Sequence, residues 1–489
     1  MSETGSGHKE NHYSVDPNET TTALSQDDRQ DDVKRDFDTG AKAWLQVLGS
    51  FFLYFNSWGI INAFGVFETY YEQHILSHQS PSSIAWIGSV QSALLMVVGV
   101  VSGPLFDAGY FYALLPTGTF LVVLGMMMTS LSTNYYQIML AQGICVGIGA
   151  GFLFVPSVAL LPQYFQKRRA LANGIAASGS SIGGVLIPIM FRQLEIKIGF
   201  SWATRIIAFL SLSTCAISIG VMRQRFRPKE KRTLLQLSAF REAQYSLFCL
   251  ACFLGFLGFY NFLVYVQPYA IDAGIVDANL GFYLLAILNA TSTFGRFGPN
   301  FVADYIGSLN VLCPALTVTA ILAYCWIAVK STSAVIALSA LYGFFSGGFV
   351  SLIAVVMMEI TPDIRKLGTR LGMCFALESI GLLIGTPIGG TIISRTGSYL
   401  GVQLFCGSCL AACAVILLTI RPAISRFAPY YTAAIATEVA TDTVTRISNF
   451  AEDFWGTTRD LEYRFRDNKV DTVVAATNFA AIAAVTEDL

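Results

Sequence analysis

The chain has 489 residues, 54% of them hydrophobic and only 13% charged, with 31 Lys and Arg against 32 Asp and Glu. A soluble globular chain carries about 25% charged residues, so this composition, held over this length, excludes an ordinary soluble protein and reads as a polytopic membrane protein. The near-zero charge balance excludes a nucleic-acid footprint.

In chain order, residues 1–43 come first: ten Asp and Glu against five Lys and Arg, with no apolar period. Such a segment cannot bury enough apolar surface to fold and is expected to be a disordered tail. Twelve apolar stretches follow, each near the roughly 20 residues that cross a bilayer as a helix: 44–67, 83–105, 112–131, 136–161, 170–191, 202–222, 245–270, 280–301, 309–329, 333–358, 369–392 and 400–421. Turn residues such as Asp107-Ala108-Gly109 and Ser132-Thr133-Asn134 punctuate them. The basic stretch 223–244 divides the spans into a first half, 44–222, and a second half, 245–421. The expected architecture is all-α, twelve transmembrane helices in two six-helix halves. Residues 422–489 form a soluble-looking tail whose last apolar run, 472–486, is too short to span.

Charge sets the orientation. With the N-terminus in the cytosol, the cytosolic connections hold thirteen Lys and Arg, among them Arg168, Arg169 and Arg365, and the outer ones hold five. That satisfies the positive-inside rule, and an even span count places the C-terminus in the cytosol too. The plasma membrane is the expected location. The ten Cys lie mostly in apolar runs. Cys249/Cys252 and Cys406/Cys409 have CxxC spacing but no His partners, so they read as small buried hydrophobes rather than metal ligands. His74 and His78 stand four apart in an outer loop without further ligands. No metal or cofactor is expected.

The two halves repeat. Asp107 and Asp304, Gly151-Phe152 and Gly348-Phe349, and Arg168-Arg169 and Arg365-Lys366 are each 197 residues apart. Both halves start on the same side, so this is a parallel repeat related by an axis along the membrane normal. Such repeats place a substrate site near the midplane between the halves, with access alternating by rocking. The repeat itself points to a carrier.

Several motifs carry a family resemblance. "GPLFDAG" (Gly103–Gly109) follows span two, and "YFQKRRALANGIAASGSSIGG" (Tyr164–Gly184) opens span five. "FGRFGPNFVADYIG" ends span eight, and "GTRLGMCFALESIGLLIGTPIGG" (Gly368–Gly390) forms span eleven. Together they resemble the monocarboxylate-porter family of the major facilitator superfamily, its fungal branch above all, over roughly residues 36–422. The resemblance implies the twelve-helix facilitator fold and the transport of small carboxylates, often with a proton; its fungal members extend to vitamins and to export of secondary metabolites. Animal lactate carriers of the family place an Asp four residues before the span-eight Arg and a Lys in span one. Here the first position is Ser292, and span one offers Asn56, Asn62 and Glu68 but no Lys.

Candidate site residues follow. Arg296 lies about five residues from the cytosolic end of span eight, roughly 7–8 Å deep. A charge there usually faces the bundle interior. Either its five-donor fork holds a substrate carboxylate, or it pairs at the gate between halves. Asn289 is one helical repeat earlier on the same face. Glu378, about nine residues into span eleven and roughly 13–14 Å deep, suits a proton carrier; the alternative is a neutral carboxyl hydrogen-bonded between helices. In span seven, Tyr260, Asn261, Tyr265 and Tyr269 make a polar-aromatic face, either a cavity wall or the interfacial belt, and Pro268 is expected to break the helix near its outer end. Asn56 and Asn62 of span one are further polar candidates, for the substrate or for helix–helix hydrogen bonds. Asp107 and Asp304, with the basic residues Arg168, Arg169 and Arg365, read as gate latches, each carboxylate set against a neighbouring helix N-terminus or a basic loop residue.

The reading that emerges is a secondary-active carrier of a monocarboxylate or other carboxylated metabolite, with or without a proton. An exporter of a larger secondary metabolite, with Arg296 only a gate residue, is the alternative within transport. A non-transporting nutrient sensor with the same fold is the alternative from another class. An enzyme is disfavoured because no buried His/Asp/Glu/Cys constellation is visible. The expected partners are a small organic anion, a proton where coupling exists, and the lipid bilayer.

Overall fold

The computed structural model describes residues 40–225, 236–361, 363 and 366–425. The expected N-terminal tail up to residue 39, residues 226–235 of the central connection, Arg365 and the C-terminal residues 426–489 lie outside the described residues.

Among the described residues the chain forms twelve long helices and no strand. They are α1 (Ala41–Ile75), α2 (Ser83–Asp107), α3 (Phe111–Thr129), α4 (Tyr135–Gln163), α5 (169–198), α6 (200–221), α7 (Ala243–Asp272), α8 (Ala278–Ile306), α9 (Ser308–Cys325), α10 (Thr332–Glu359), α11 (Leu367–Thr396) and α12 (Leu400–Ser425). Large apolar side chains stand exposed on their outer flanks, for example Phe120, Trp202, Phe294 and Val415. A soluble surface of that kind would aggregate; against lipid tails it is the matching solvent.

The duplication visible in the sequence is also visible in how helices begin. Ser80 accepts from the Ser83 N–H at the start of α2, and Asp277 accepts from the Leu280 N–H at the start of α8. Asn134 caps α4 and Ser331 caps α10. Both pairs of caps are 197 residues apart. Short polar side chains at these points satisfy N–H groups that the first helical turn leaves free. Neighbour relations repeat as well: α1 packs on α5 as α7 packs on α11, and α3 packs on α4 as α9 packs on α10.

Three expectations are corrected. The helices outrun their apolar windows: α1 starts at Ala41, not residue 44, and α5 continues to residue 198 rather than stopping at 191. The connection expected over 192–201 is helical apart from Gly199, whose φ of 79° and ψ of 166° are open essentially to glycine alone. Hydropathy marks where a helix leaves the hydrocarbon, not where its hydrogen bonds end. Pro268 does not break α7, which runs through it to Asp272. It lies in the last turns, where the missing N–H perturbs only one bond near an end that frays anyway.

The halves meet along two seams. α5 runs against α8, and α2 against α11. At the end of the bundle holding Asp107 and Asp304, here termed the N-face, both seams are closed by hydrogen bonds. At the opposite, far face, α5 and α8 stay joined, with Arg192 Nη2 donating to Asn279 Oδ1 at 2.8 Å.

Candidate functional site

α8 carries one polar stripe. Asn289, Ser292, Arg296 and Asn300 recur at helical spacing and are all buried. The stripe faces α5, and its lower part is tied into a network. Asn300 Nδ2 donates to the Arg296 carbonyl (2.7 Å) and to Ser351 Oγ (2.6 Å), while Asn173 Nδ2 of α5 donates to the Ser351 carbonyl (2.8 Å).

Arg296 crosses the seam. Its Nη1 donates to the Ala177 carbonyl of α5 at 2.7 Å and to Ser180 Oγ. The residue is 7% exposed, its Nε has no partner, and among the described residues it pairs with no carboxylate. Ser292, in the position where the resemblance would place an acid, accepts only a weak bond from Ser181 Oγ at 3.3 Å. A guanidinium held by one carbonyl and one hydroxyl keeps an unused donor at Nε, and the residue lines a small central cavity.

That cavity is lined by Trp58, Asn62, Phe256, Phe259, Tyr260, Leu263, Leu288, Asn289, Ser292, Arg296, Ser346 and Val350. A π-helical turn at Phe55–Gly59 sets Trp58 on its wall. The Trp58 ring stacks on Tyr260 across the two halves, with centroids 6.3 Å apart and planes at 27°. The free volume is about 20 Å³, enough for one water and no more. The structure therefore holds the centre collapsed. A larger groove of about 370 Å³ lies between Trp86 of α2 and the far-face half of α11, but its walls are apolar except for Thr391 and Arg395. It carries none of the converging polar groups a solute site needs.

The cavity thus brings together Arg296, Asn289, Tyr260 and Asn62. The other sequence candidates point elsewhere. Asn56 gives its amide to the Phe52 carbonyl and to Thr214 Oγ1 of α6, both at 2.7 Å. Asn261 donates to the carbonyls of Leu257 and Gly258 in its own helix. Tyr265 donates its hydroxyl to the Thr386 carbonyl of α11 at 2.7 Å. Glu378 is fully buried inside the second half, where it accepts from the Cys374 thiol at 3.3 Å. It is not among the residues that line the cavity. Trp58, Phe256 and Phe259 were absent from the sequence candidates. The i, i+4 pairs Trp58/Asn62 and Phe256/Tyr260 were a usable signal, because each puts an aromatic on the face of a polar candidate.

At the N-face the repeated aspartates each reach into the opposite half. Asp107 of α2 accepts from the Gly368 and Thr369 N–H groups at the start of α11 (3.2 and 2.8 Å) and from Thr369 Oγ1 (2.9 Å). Asp304 of α8 accepts from the Ala170 and Leu171 N–H groups at the start of α5 (2.8 and 2.9 Å). Each carboxylate caps a helix across the seam and meets the positive end of its dipole. Arg168 is the residue before α5, and Arg169 Nε donates to the Phe165 carbonyl at 2.9 Å. Asp107→Asn and Asp304→Asn are each expected to favour the N-face-open form by about 0.3–1 kcal/mol. The effects should add in the double variant, because the two caps sit on different seams. Spin-label distances across the N-face would show this; distributions identical to wild type would count against it.

The family follows from this fold and from known relatives. Residues 47–302 and 297–433 match the model of the Major Facilitator Superfamily. The MFS-type transporter dbaD of Emericella nidulans is 44% identical over 357 residues, which cover 73% of this chain and 80% of that protein. The aspyridones efflux protein apdF of the same fungus is 41% identical, covering 75% of each chain. Among solved structures, the transporter FucP in its outward conformation superposes with a TM-score of 0.60 at 15% identity, over 77% of this chain and 98% of FucP. With twelve helices in two repeated halves, this chain is a multi-pass integral membrane transporter and belongs to the Major Facilitator Superfamily.

Proposed function

We propose that the protein exports an acidic organic metabolite with an aromatic or conjugated body, by alternating access, and that Arg296 is its anion ligand. One observation carries this reading: a buried guanidinium with no carboxylate partner among the described residues, on the wall of an aromatic-lined cavity between the two halves. Charge burial is costly unless compensated, and a cargo anion supplies the compensation that the protein withholds. The aromatic walls suit a flat cargo better than a three-carbon acid. The relatives named for efflux are in keeping with export. The monocarboxylate-porter resemblance agrees on the anion and is broadened here in cargo size. We place the N-face in the cytosol and the protein in the plasma membrane, on the loop charges.

The gate role of Arg296 belongs to the same mechanism. A cargo anion competes with the Ala177 carbonyl and Ser180 for the guanidinium, and taking it loosens α5 from α8. The halves then part, as they must, because about 20 Å³ is far below the roughly 300–1,000 Å³ of a ligand pocket. Glu378 lies off this path, so no proton is routed through it.

The test is transport and binding in proteoliposomes with aromatic carboxylic acids and their methyl esters. The ester keeps the ring and loses only the charge. The acid is expected to bind about 10- to 150-fold tighter, as removal of a charge-assisted hydrogen bond predicts. Equal affinity for acid and ester would refute the anion reading.

A further inference from the structure

The CxxC pair of α7 does not stand alone. α7 presents Tyr245, Cys249 and Cys252 on one face, and α11 presents Arg370, Cys374 and Glu378 on the facing one. Helical spacing aligns the two stripes. Cys252 Sγ, Cys374 Sγ and a Glu378 carboxylate oxygen all lie within 4.8 Å of one another, fully inside the second half. This corrects the expectation that no buried Cys/Glu constellation exists: its members sit on helices far apart in sequence, so no local spacing shows it.

We infer that Cys252, Cys374 and Glu378 form a binding site for a thiophilic divalent cation of the zinc class. Two observations support it independently. One is the donor set, two thiols with one carboxyl, which is the kind of set that holds zinc. The other is Glu378 Oε2, a buried oxygen with no hydrogen-bond partner. A neutral thiol–carboxyl cluster leaves that atom orphaned, at a cost of about 1–3 kcal/mol; a cation satisfies it. A tetrahedral site with Zn–S bonds of about 2.3 Å places its sulfurs roughly 3.8 Å apart. The ligand atoms already lie within 4.8 Å of one another, close to that spacing.

The charge balance is simple. The cation displaces the protons of the Cys252 and Cys374 thiols, giving two thiolates and about two released protons per ion. With Glu378 ligating through its carbonyl oxygen as the neutral acid, the site is uncharged. That form suits an apolar interior, where a net charge is expensive. Bound metal would pin α7 to α11, next to the seam where α11 meets α2.

The experiment uses the full-length protein, reduced and purified in detergent. Cd²⁺ is titrated and followed by sulfur-to-cadmium charge-transfer absorption, and retained zinc is counted by elemental mass spectrometry after passage over a chelator. Wild type is expected to bind about one equivalent and to release about two protons per ion. Cys374→Ser and Glu378→Leu are expected to weaken binding at least tenfold, and Cys325→Ser, at an exposed thiol, not at all. Should Cys374→Ser fail to fold, Glu378→Leu, apolar and of similar size, decides. A wild type without a stoichiometric charge-transfer band, or a band unchanged in Glu378→Leu, overturns the site. Neither readout depends on flux, so the transport proposal stands or falls separately.

Discussion

Arg296→Gln is expected to lower the affinity for an acidic cargo about 10- to 150-fold, to the level of the neutral ester, while raising the stability of the protein. The first effect follows from loss of the positive charge at the cavity wall. The second follows from the cost of burying the guanidinium. It is 7% exposed, its Nε is unpartnered, and only a carbonyl and a hydroxyl receive its hydrogens. Removing a charge so poorly compensated is expected to stabilise by about 1–2 kcal/mol. Ala177 loses little, because a helix carbonyl keeps its backbone donor. The two readouts separate the two roles. A residue serving only as a gate clasp would lose stability on substitution and leave cargo affinity unchanged. Thermal melting and equilibrium binding on the same preparation decide between them, and a gain of stability with loss of affinity marks a site that trades one for the other.

Gly103→Val is expected to abolish transport while leaving each half folded. A Cβ at Gly103 would lie 2.1 Å from the Gly368 carbonyl oxygen, and one at Gly372 would lie 2.2 Å from the Gly99 carbonyl oxygen. These are backbone atoms in the opposite half, so no side chain can swing away. The α2–α11 seam must part at the N-face, which also pulls Asp107 off the start of α11. A shift of more than tenfold toward the N-face-open form, about 1.4 kcal/mol or more, is expected in spin-label distances. A carrier that cannot close one face cannot complete its cycle. Gly220→Ala, where a Cβ meets nothing within 4 Å, should behave as wild type. Transport above half the wild-type rate in Gly103→Val would show that the seam need not close this tightly.

Both predictions rest on residues whose importance was only partly legible in the sequence. Arg296 stood out because a charge in an apolar run is rare, and the Asp107/Asp304 pair because a spacing of 197 recurs. Asn289, Tyr260 and Asn62 do line the cavity. Asn56, Asn261 and Tyr265 looked the same in sequence yet are spent on helix–helix or local hydrogen bonds. A polar residue in a membrane helix has two uses, cargo and neighbour. Sequence spacing tells which residues share a face, not what that face meets.

The sequence by itself determined the membrane class, the twelve spans, the duplication and the buried arginine. Each is a property of composition or of a period along one chain, and lipid enforces them strictly because every backbone group must be satisfied within its own helix. The tertiary structure alone decided which faces meet. It joined Arg296 to Ala177, set the carboxylates of Asp107 and Asp304 on helices of the opposite half, closed the centre down to the space of one water, and brought Cys252 to Cys374 and Glu378. In a bundle whose helices are apolar all round, hydropathy does not distinguish the lipid face from the packed one. Partners more than a hundred residues apart are chosen by close packing and hydrogen bonding across helices, and those exist only once the helices are in place.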